Sequence, residues 1–242
     1  MKRQRTLSRA PTTQLVTTQT TQDVPMVQNV ASFRRYKQLR NKTGPVNLGL
    51  GFPKKVKEIH KYAEIVTVST GASGSTDGVY TFSANGMYDP NITGTGHQPM
   101  YFDQLGALYN HYCVVSSKIS VKVVPIQGGP AMVVALYVND DTTVTPNIYG
   151  QIENSNCSFK NVPFNNQDTI VLNQKWSAAK YFGKNPLSNT ELQGTTAANP
   201  TEQSYYTFTL NSSATATAAS VQVLFYLEYT AVWKELKDIA SS

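Results

Sequence analysis

Beyond Arg40 this chain contains no arginine; all six lie in its first forty residues. Arginine is the side chain built for bidentate contact with phosphate, so guanidinium-based phosphate recognition is confined to the N-terminal segment. Charge of either sign is scarce, at 15% of 242 residues, where a soluble domain ordinarily carries about a quarter. Thr, Ser, Asn, Gln and Tyr stand in its place, which suits a surface buried against neighbours and equally an isolated Thr-rich sandwich. Cysteine is limited to Cys113 and Cys157, without metal-ligand spacing or a third partner, which leaves no disulfide scaffold and no argument for secretion. No apolar run approaches the roughly 18 residues of a membrane span. The basic N-terminus also lacks the apolar segment that follows the charged start of a signal peptide. The expectation is a soluble, intracellular product without membrane insertion.

What charge there is falls unevenly. From Met1 to Lys61 thirteen Lys and Arg face only Asp23 and Glu58, a net of +11, whereas from Tyr62 to Ser242 eight Lys face thirteen Asp and Glu, a net of −5. A basic arm and linker, 1–61, is thus attached to a mildly acidic body, 62–242. Lys2, Arg3, Arg5 and Arg9 open the arm. A Thr/Gln-rich tract to residue 31 has neither helical nor alternating apolar periodicity and reads as disordered in the free chain. A second cluster interleaves Phe33 and Tyr36 with Arg34, Arg35, Lys37, Arg40 and Lys42, so bases can stack on aromatics beside neutralised phosphates. A basic run of this kind also fits a nuclear localisation signal, and the two roles are compatible. Lys54, Lys55, Lys57 and Lys61 carry the positive field to the edge of the body. The Gly-rich stretch Gly44 to Pro53 lacks both GxxxxGK[ST] and GxGxxG and reads as linker. All these cations, with Tyr36, form the expected nucleic-acid-binding set.

From Tyr62 the chain breaks into short β-rich runs cut by Gly, Pro, Asn and Asp. The runs are 62–69, 78–85, 113–125, 131–138, 168–173, 176–182, 205–210 and 220–233. In 113–125, Ile119, Val121 and Val123 alternate with Lys118, Ser120 and Lys122, a half-buried strand with a cationic outer face. Ala131 to Val138 is continuously apolar and reads as a core strand. Gln98 to Tyr112 is the one helical patch of the first half, with Phe102, Leu105 and Leu108 at helical spacing. Eight strands and long loops predict an all-β, eight-stranded antiparallel jelly-roll sandwich with a short helical insertion and a disordered basic N-terminal arm. The immunoglobulin alternative lacks its Cys-Trp-Cys spacing. The polar loop Gly183 to Pro200 is a candidate for an outer surface.

Enzyme chemistry has no motif behind it. His60, His97 and His111 can be combined with Ser and Asp on paper, but G-x-S-x-G, H-E-x-x-H and CxxC are all absent. Asn139, Asp140 and Asp141 offer oxygens to Ca²⁺, yet read first as a solvated turn. No cofactor, metal site or catalytic residue is expected.

With these features in place, the chain resembles the single jelly-roll capsid proteins of small circular single-stranded DNA viruses that encode a replication initiator, the circovirus-like group. The resemblance rests on the Arg-rich start with RRYK, on HQPMYFDQLGALYNHYCVVSSKISVKVVP, taken as a helical insertion between the third and fourth strands, and on the closing VQVLFYLEYTAVWKEL. It implies a self-assembling icosahedral shell of sixty copies, with the arm holding single-stranded DNA. It further implies a virion location with a host nuclear stage, and host import and cell-surface receptors as further partners. Sixty arms of +11 would bring roughly 660 positive charges to the genome, binding it with strong salt dependence and without base preference. A coat protein of a small single-stranded RNA virus is the nearest alternative, and a cellular sandwich-fold binding module the next.

Overall fold

In the computed structural model, residues 51–71, 76–126, 129–142, 147–153, 156–164, 168–212 and 218–238 are described. The expected disordered tract and the cations from Lys2 to Lys42 lie outside them.

Eight strands are present among the described residues: β1 Lys55–Ser69, β2 Gly78–Ser83, β3 Tyr109–Pro125, β4 Met132–Asn139, β5 Cys157–Val162, β6 Ile170–Ser177, β7 Tyr205–Ser212 and β8 Ser220–Leu236. They pair antiparallel in two four-stranded sheets, in the orders β1-β8-β3-β6 and β2-β7-β4-β5. Only β4 and β5 are neighbours both in sequence and in a sheet; every other connection crosses from one sheet to the other. That is the jelly roll, with each sheet built from strands far apart in the chain.

The core follows from period-two alternation. On β8, Val221, Val223, Phe225, Leu227, Tyr229, Ala231 and Trp233 are all buried, and they meet Tyr206, Phe208 and Leu210 of β7 across the sandwich. On β4, Ala135 and Tyr137 are buried as well as Val134, Leu136 and Val138. Its second face is covered because helix α2, Ile148–Ile152, packs against β4, as the uninterrupted apolar run requires.

Several boundaries differ from the sequence expectation. The first strand begins at Lys55 rather than Tyr62, because β8 runs on to Leu236 and supplies a partner for each residue from Lys55 onward. Helix α1, Phe102–Leu108, is shorter than the patch 98–112 and lies between β2 and β3, ahead of the third strand rather than after it. Tyr109 to Tyr112 are drawn into β3 by pairing with Leu236 to Trp233. The run 176–182 is not a strand: Trp176 and Ser177 end β6, and Ala178–Phe182 form helix α3, closed by Gly183 in the left-handed region at φ 64°. β5 gave no usable signal, since three of its six residues are exposed and the strand lies at a sheet edge.

The loop 183–200 is less of an outer surface than its polarity suggests. Pro186, Leu192 and Gly194 are buried, and Gly194 exchanges two backbone hydrogen bonds of 2.9 Å with Tyr112. A Cβ at Gly194 would lie 2.3 Å from the Tyr112 ring, so only glycine permits this approach.

His60 is buried on the inner face of β1. Its Nδ1 lies 2.9 Å from the Met100 carbonyl oxygen and its Nε2 accepts from the Trp233 indole N–H at 2.9 Å. Both ring nitrogens are thus satisfied in the neutral form with the proton on Nδ1. Burial lowers its pKa, against smaller opposing effects of the Met100 bond and Glu58. Below about pH 6.5 the unfolded chain takes up a proton that the folded chain refuses, so stability is complete above that pH and declines beneath it. A thermal midpoint that falls on acidification below pH 6.5, with a shallower fall in His60→Gln, is the expected result; identical slopes would contradict it.

Candidate nucleic-acid interface

Odd-numbered residues of β1 point away from the core, which places Lys55, Lys57, Ile59, Lys61, Ala63 and Ile65 on the outer face of the first sheet, all exposed. Even-numbered residues of β3 add Lys118 and Lys122, and Lys175 of β6 is exposed beside them. Register joins these into rows. One row runs Lys61, Glu228, Lys118, Lys175 across all four strands, and the row two residues further includes Ala63, Tyr226, Ser120 and Asn173. A third contains Ile65, Leu224, Lys122 and Val171, and towards the far end Lys55 pairs with Lys234, which pairs with His111.

One face therefore gathers Lys55, Lys57, Lys61, Lys118, Lys122, Lys175 and Lys234, with the carboxylate of Glu228 in its middle row and that of Glu235 against His111 at the Lys55 and Lys234 end. Lys118 Nζ is 2.8 Å from Glu228 Oε2, and the Tyr226 hydroxyl donates to Glu228 Oε1 at 3.1 Å. The Lys118 hydrogen bond, aided by Tyr226 and the charge of Lys61, holds Glu228 below the usual carboxylate range against the opposing effect of its own desolvation, so it is ionised at neutral pH. Among the described residues no carboxylate lies within ion-pair distance of Lys57, Lys61, Lys122 or Lys175. Lys118 and Lys175 stand directly opposite each other, a like-charge cross-strand pair that is unfavourable without a counter-ion. Glu228 is that counter-ion for Lys118, and Lys175 has none within ion-pair distance among the described residues.

Of the expected set, Lys54 precedes β1, while Lys55, Lys57 and Lys61 lie on it and share the face; the others fall outside the described residues. The sequence showed Lys118 and Lys122 as a cationic strand face but did not join them to β1, and it missed Lys175 and Lys234. Period-two alternation found the β3 pair; no local signal marks Lys175.

The histidines are engaged elsewhere: His97 stacks on Tyr62 at 4.4 Å, and His111 Nε2 is 3.3 Å from Glu235. Among the described residues no group of three or more His, Cys, Asp or Glu is placed to hold a metal ion, and Asn139 bonds to Asp141 and Thr207. No helix among them is long and apolar enough to cross a membrane.

No family model matches the chain, and no curated protein does. Among solved structures it is similar to the Mud crab tombus-like virus, with TM-score 0.46 and 12% identity over 96% of both chains. It is also similar to Turnip Yellow Mosaic Virus, with TM-score 0.44 and 12% identity over 78% of this chain and 99% of that one. A third is the semi-empty VLP of the giant freshwater prawn Macrobrachium rosenbergii nodavirus, with TM-score 0.41 and 14% identity over 79% of this chain and 100% of that one. These are jelly-roll capsid structures of single-stranded RNA viruses, whereas the sequence resemblance pointed to a single-stranded DNA group.

Proposed function

We propose that this chain is the coat protein of a small virus, that it assembles with copies of itself into an icosahedral shell, and that it packages a single-stranded nucleic-acid genome. The observation that carries this reading is the concentration of one sign of charge on one sheet of a jelly roll. Seven lysines share the outer face of β1-β8-β3-β6 with Glu228, and with Glu235 at its far end; four of them, Lys118, Lys122, Lys175 and Lys234, belong to residues 62–242, which carry a net −5. Other acidic groups lie in loops, as with Asp77, Asp89, Asp140 and Glu202. A protein that had only to stay soluble would gain nothing from that segregation; a protein laid against a polyphosphate does.

In this reading the lysine face and the arm act together. The arm supplies Lys2, Arg3, Arg5, Arg9, Arg34, Arg35, Lys37, Arg40 and Lys42 for phosphates and Tyr36 for base stacking. Lys54, Lys55, Lys57 and Lys61 carry the same chemistry onto the first strand. Sixty copies make the simplest closed shell of one domain. Single-stranded RNA and single-stranded DNA are the two genome types, and a stage in the host nucleus belongs to the DNA form.

The test is light scattering and electron microscopy on the purified chain, with the 260/280 nm absorbance ratio and nuclease typing of the contents. Uniform particles holding single-stranded nucleic acid are expected, and DNase or RNase sensitivity of material from infected cells names the genome. A monomer at low salt without nucleic acid overturns the reading in favour of a binding module.

A further inference from the structure

At the β3/β6 edge the cationic sheet face is walled into a groove of about 770 Å³, within the range of sites that hold a small molecule. Its floor is the outward row of Ile59, Thr230, Ser116 and Ser177, which register carries across all four strands. The next row brings Lys118 and Lys175, and helix α3 forms a wall with Lys180 and Tyr181. The helix exists because Ala178 and Ala179 follow the strand directly and Gly183 ends the turn, so β6 stops where the groove begins.

Three ammonium groups and one carboxylate, Glu228, line this space, and Glu228 is already bonded to Lys118 and Tyr226. The hydroxyls of Ser116, Ser177 and Thr230 have no protein hydrogen-bond partner among the described residues, which leaves them able to donate to phosphate oxygens or pair with a sugar hydroxyl. Apolar surface adjoins them. Ile59 is 56% exposed, and Tyr181 belongs to an aromatic cluster with Trp176 and Phe182, at 6.4 and 5.2 Å between ring centroids. Cations, hydroxyls and an aliphatic and aromatic wall in one groove match phosphate, sugar and base in turn.

We infer that this groove is a nucleotide subsite for single-stranded nucleic acid. It seats a phosphodiester among Lys118, Lys175 and Lys180 and the attached base against Tyr181, with Ile59 at the opposite, β1 end of the floor row. The inference rests on the reading of the lysine face as the nucleic-acid-facing surface. An acidic segment of a second copy is a poorer match, because Asp140 and Asp141 are the only adjacent acids in the whole sequence. The groove differs from the open face around it in consequence: lysines on a flat sheet neutralise phosphates wherever they fall, whereas a walled site fixes one nucleotide in position.

The experiment uses the full chain and a 4-thiouridine-substituted oligouridylate, with photo-crosslinked peptides identified by mass spectrometry. Crosslinks within residues 174–182 are expected. They should fall at least about fivefold in Lys175→Gln/Lys180→Gln, with the log–log salt dependence of affinity shallower by about one to two units. Arg34→Gln/Arg35→Gln should weaken the salt dependence to a similar degree and leave those crosslinks in place. Crosslinks absent from 174–182, or undiminished in the lysine variant, overturn the subsite while the face can still bind. A wild-type chain that binds no oligonucleotide overturns the parent reading itself. Because both lysines are exposed, circular dichroism of the variants should match the wild type, and a changed spectrum would contradict their placement at the surface.

Discussion

Trp233→Ala is expected to lower the free energy of unfolding by about 3–5 kcal/mol, measured by urea denaturation followed by far-UV circular dichroism. The indole is fully buried near the end of β8, with ring centroids 5.4 Å from Phe102 in an edge-on and 5.5 Å from Tyr112 in a tilted arrangement. Its N–H is also the donor to His60 Nε2, and His60 in turn holds the Met100 carbonyl on the approach to α1. Truncation thus removes packing from three elements at once and leaves a buried imidazole nitrogen without its donor. Trp233→Phe keeps most of the ring volume and loses the bond, so a smaller loss, about 1–3 kcal/mol, is expected. A loss under about 1 kcal/mol for the alanine variant would show that the site does not hold these contacts.

Neutralising four lysines of the sheet face, with Lys57→Gln, Lys61→Gln, Lys118→Gln and Lys122→Gln together, is expected to change nucleic-acid binding more than any other alteration of the described domain. If each lysine neutralises one phosphate of a single strand, the slope of log affinity against log salt becomes shallower by about three units. Between 50 and 200 mM salt the wild type would then lose about fifty-fold more affinity than the variant. Fluorescence anisotropy with a labelled oligonucleotide across that range reads the slope directly. The same number of substitutions on the second sheet or in loops should leave it unchanged. An unaltered slope in the sheet-face variant would assign all phosphate contact to the arm. Stability should change little, since Lys118, the exposed member of its pair with the half-buried Glu228, remains open to solvent screening, and removal of the Lys118 and Lys175 repulsion offsets the loss of that pair.

Much of the architecture was legible in the chain. Alternation in 113–125 marked β3, the β-rich run 220–233 marked β8, the continuous run 131–138 marked β4, and turn chemistry separated them. Misreadings came where tertiary pairing overrides local pattern. Lys55 to Lys61 look like a charged linker until β8 offers them a partner, and Trp176 to Phe182 look like a strand until α3 turns away from the sheet. β5 escaped notice because an edge strand buries too little to show a pattern.

The sequence by itself determined the division of charge, the confinement of arginine to the first forty residues, and the existence of every strand but β5, because composition and period-two alternation are local properties. Only the tertiary structure decided which lysines share a surface. Lys61, Glu228, Lys118 and Lys175 come from four separate strands of the chain, and they form one row because the jelly roll seats β8 between β1 and β3 and places β6 beyond β3. That adjacency is set by burial of the opposite faces of the same strands: once Tyr62, Ile119, Trp176 and Leu227 point into the core, the pleat leaves their neighbours no direction but outward.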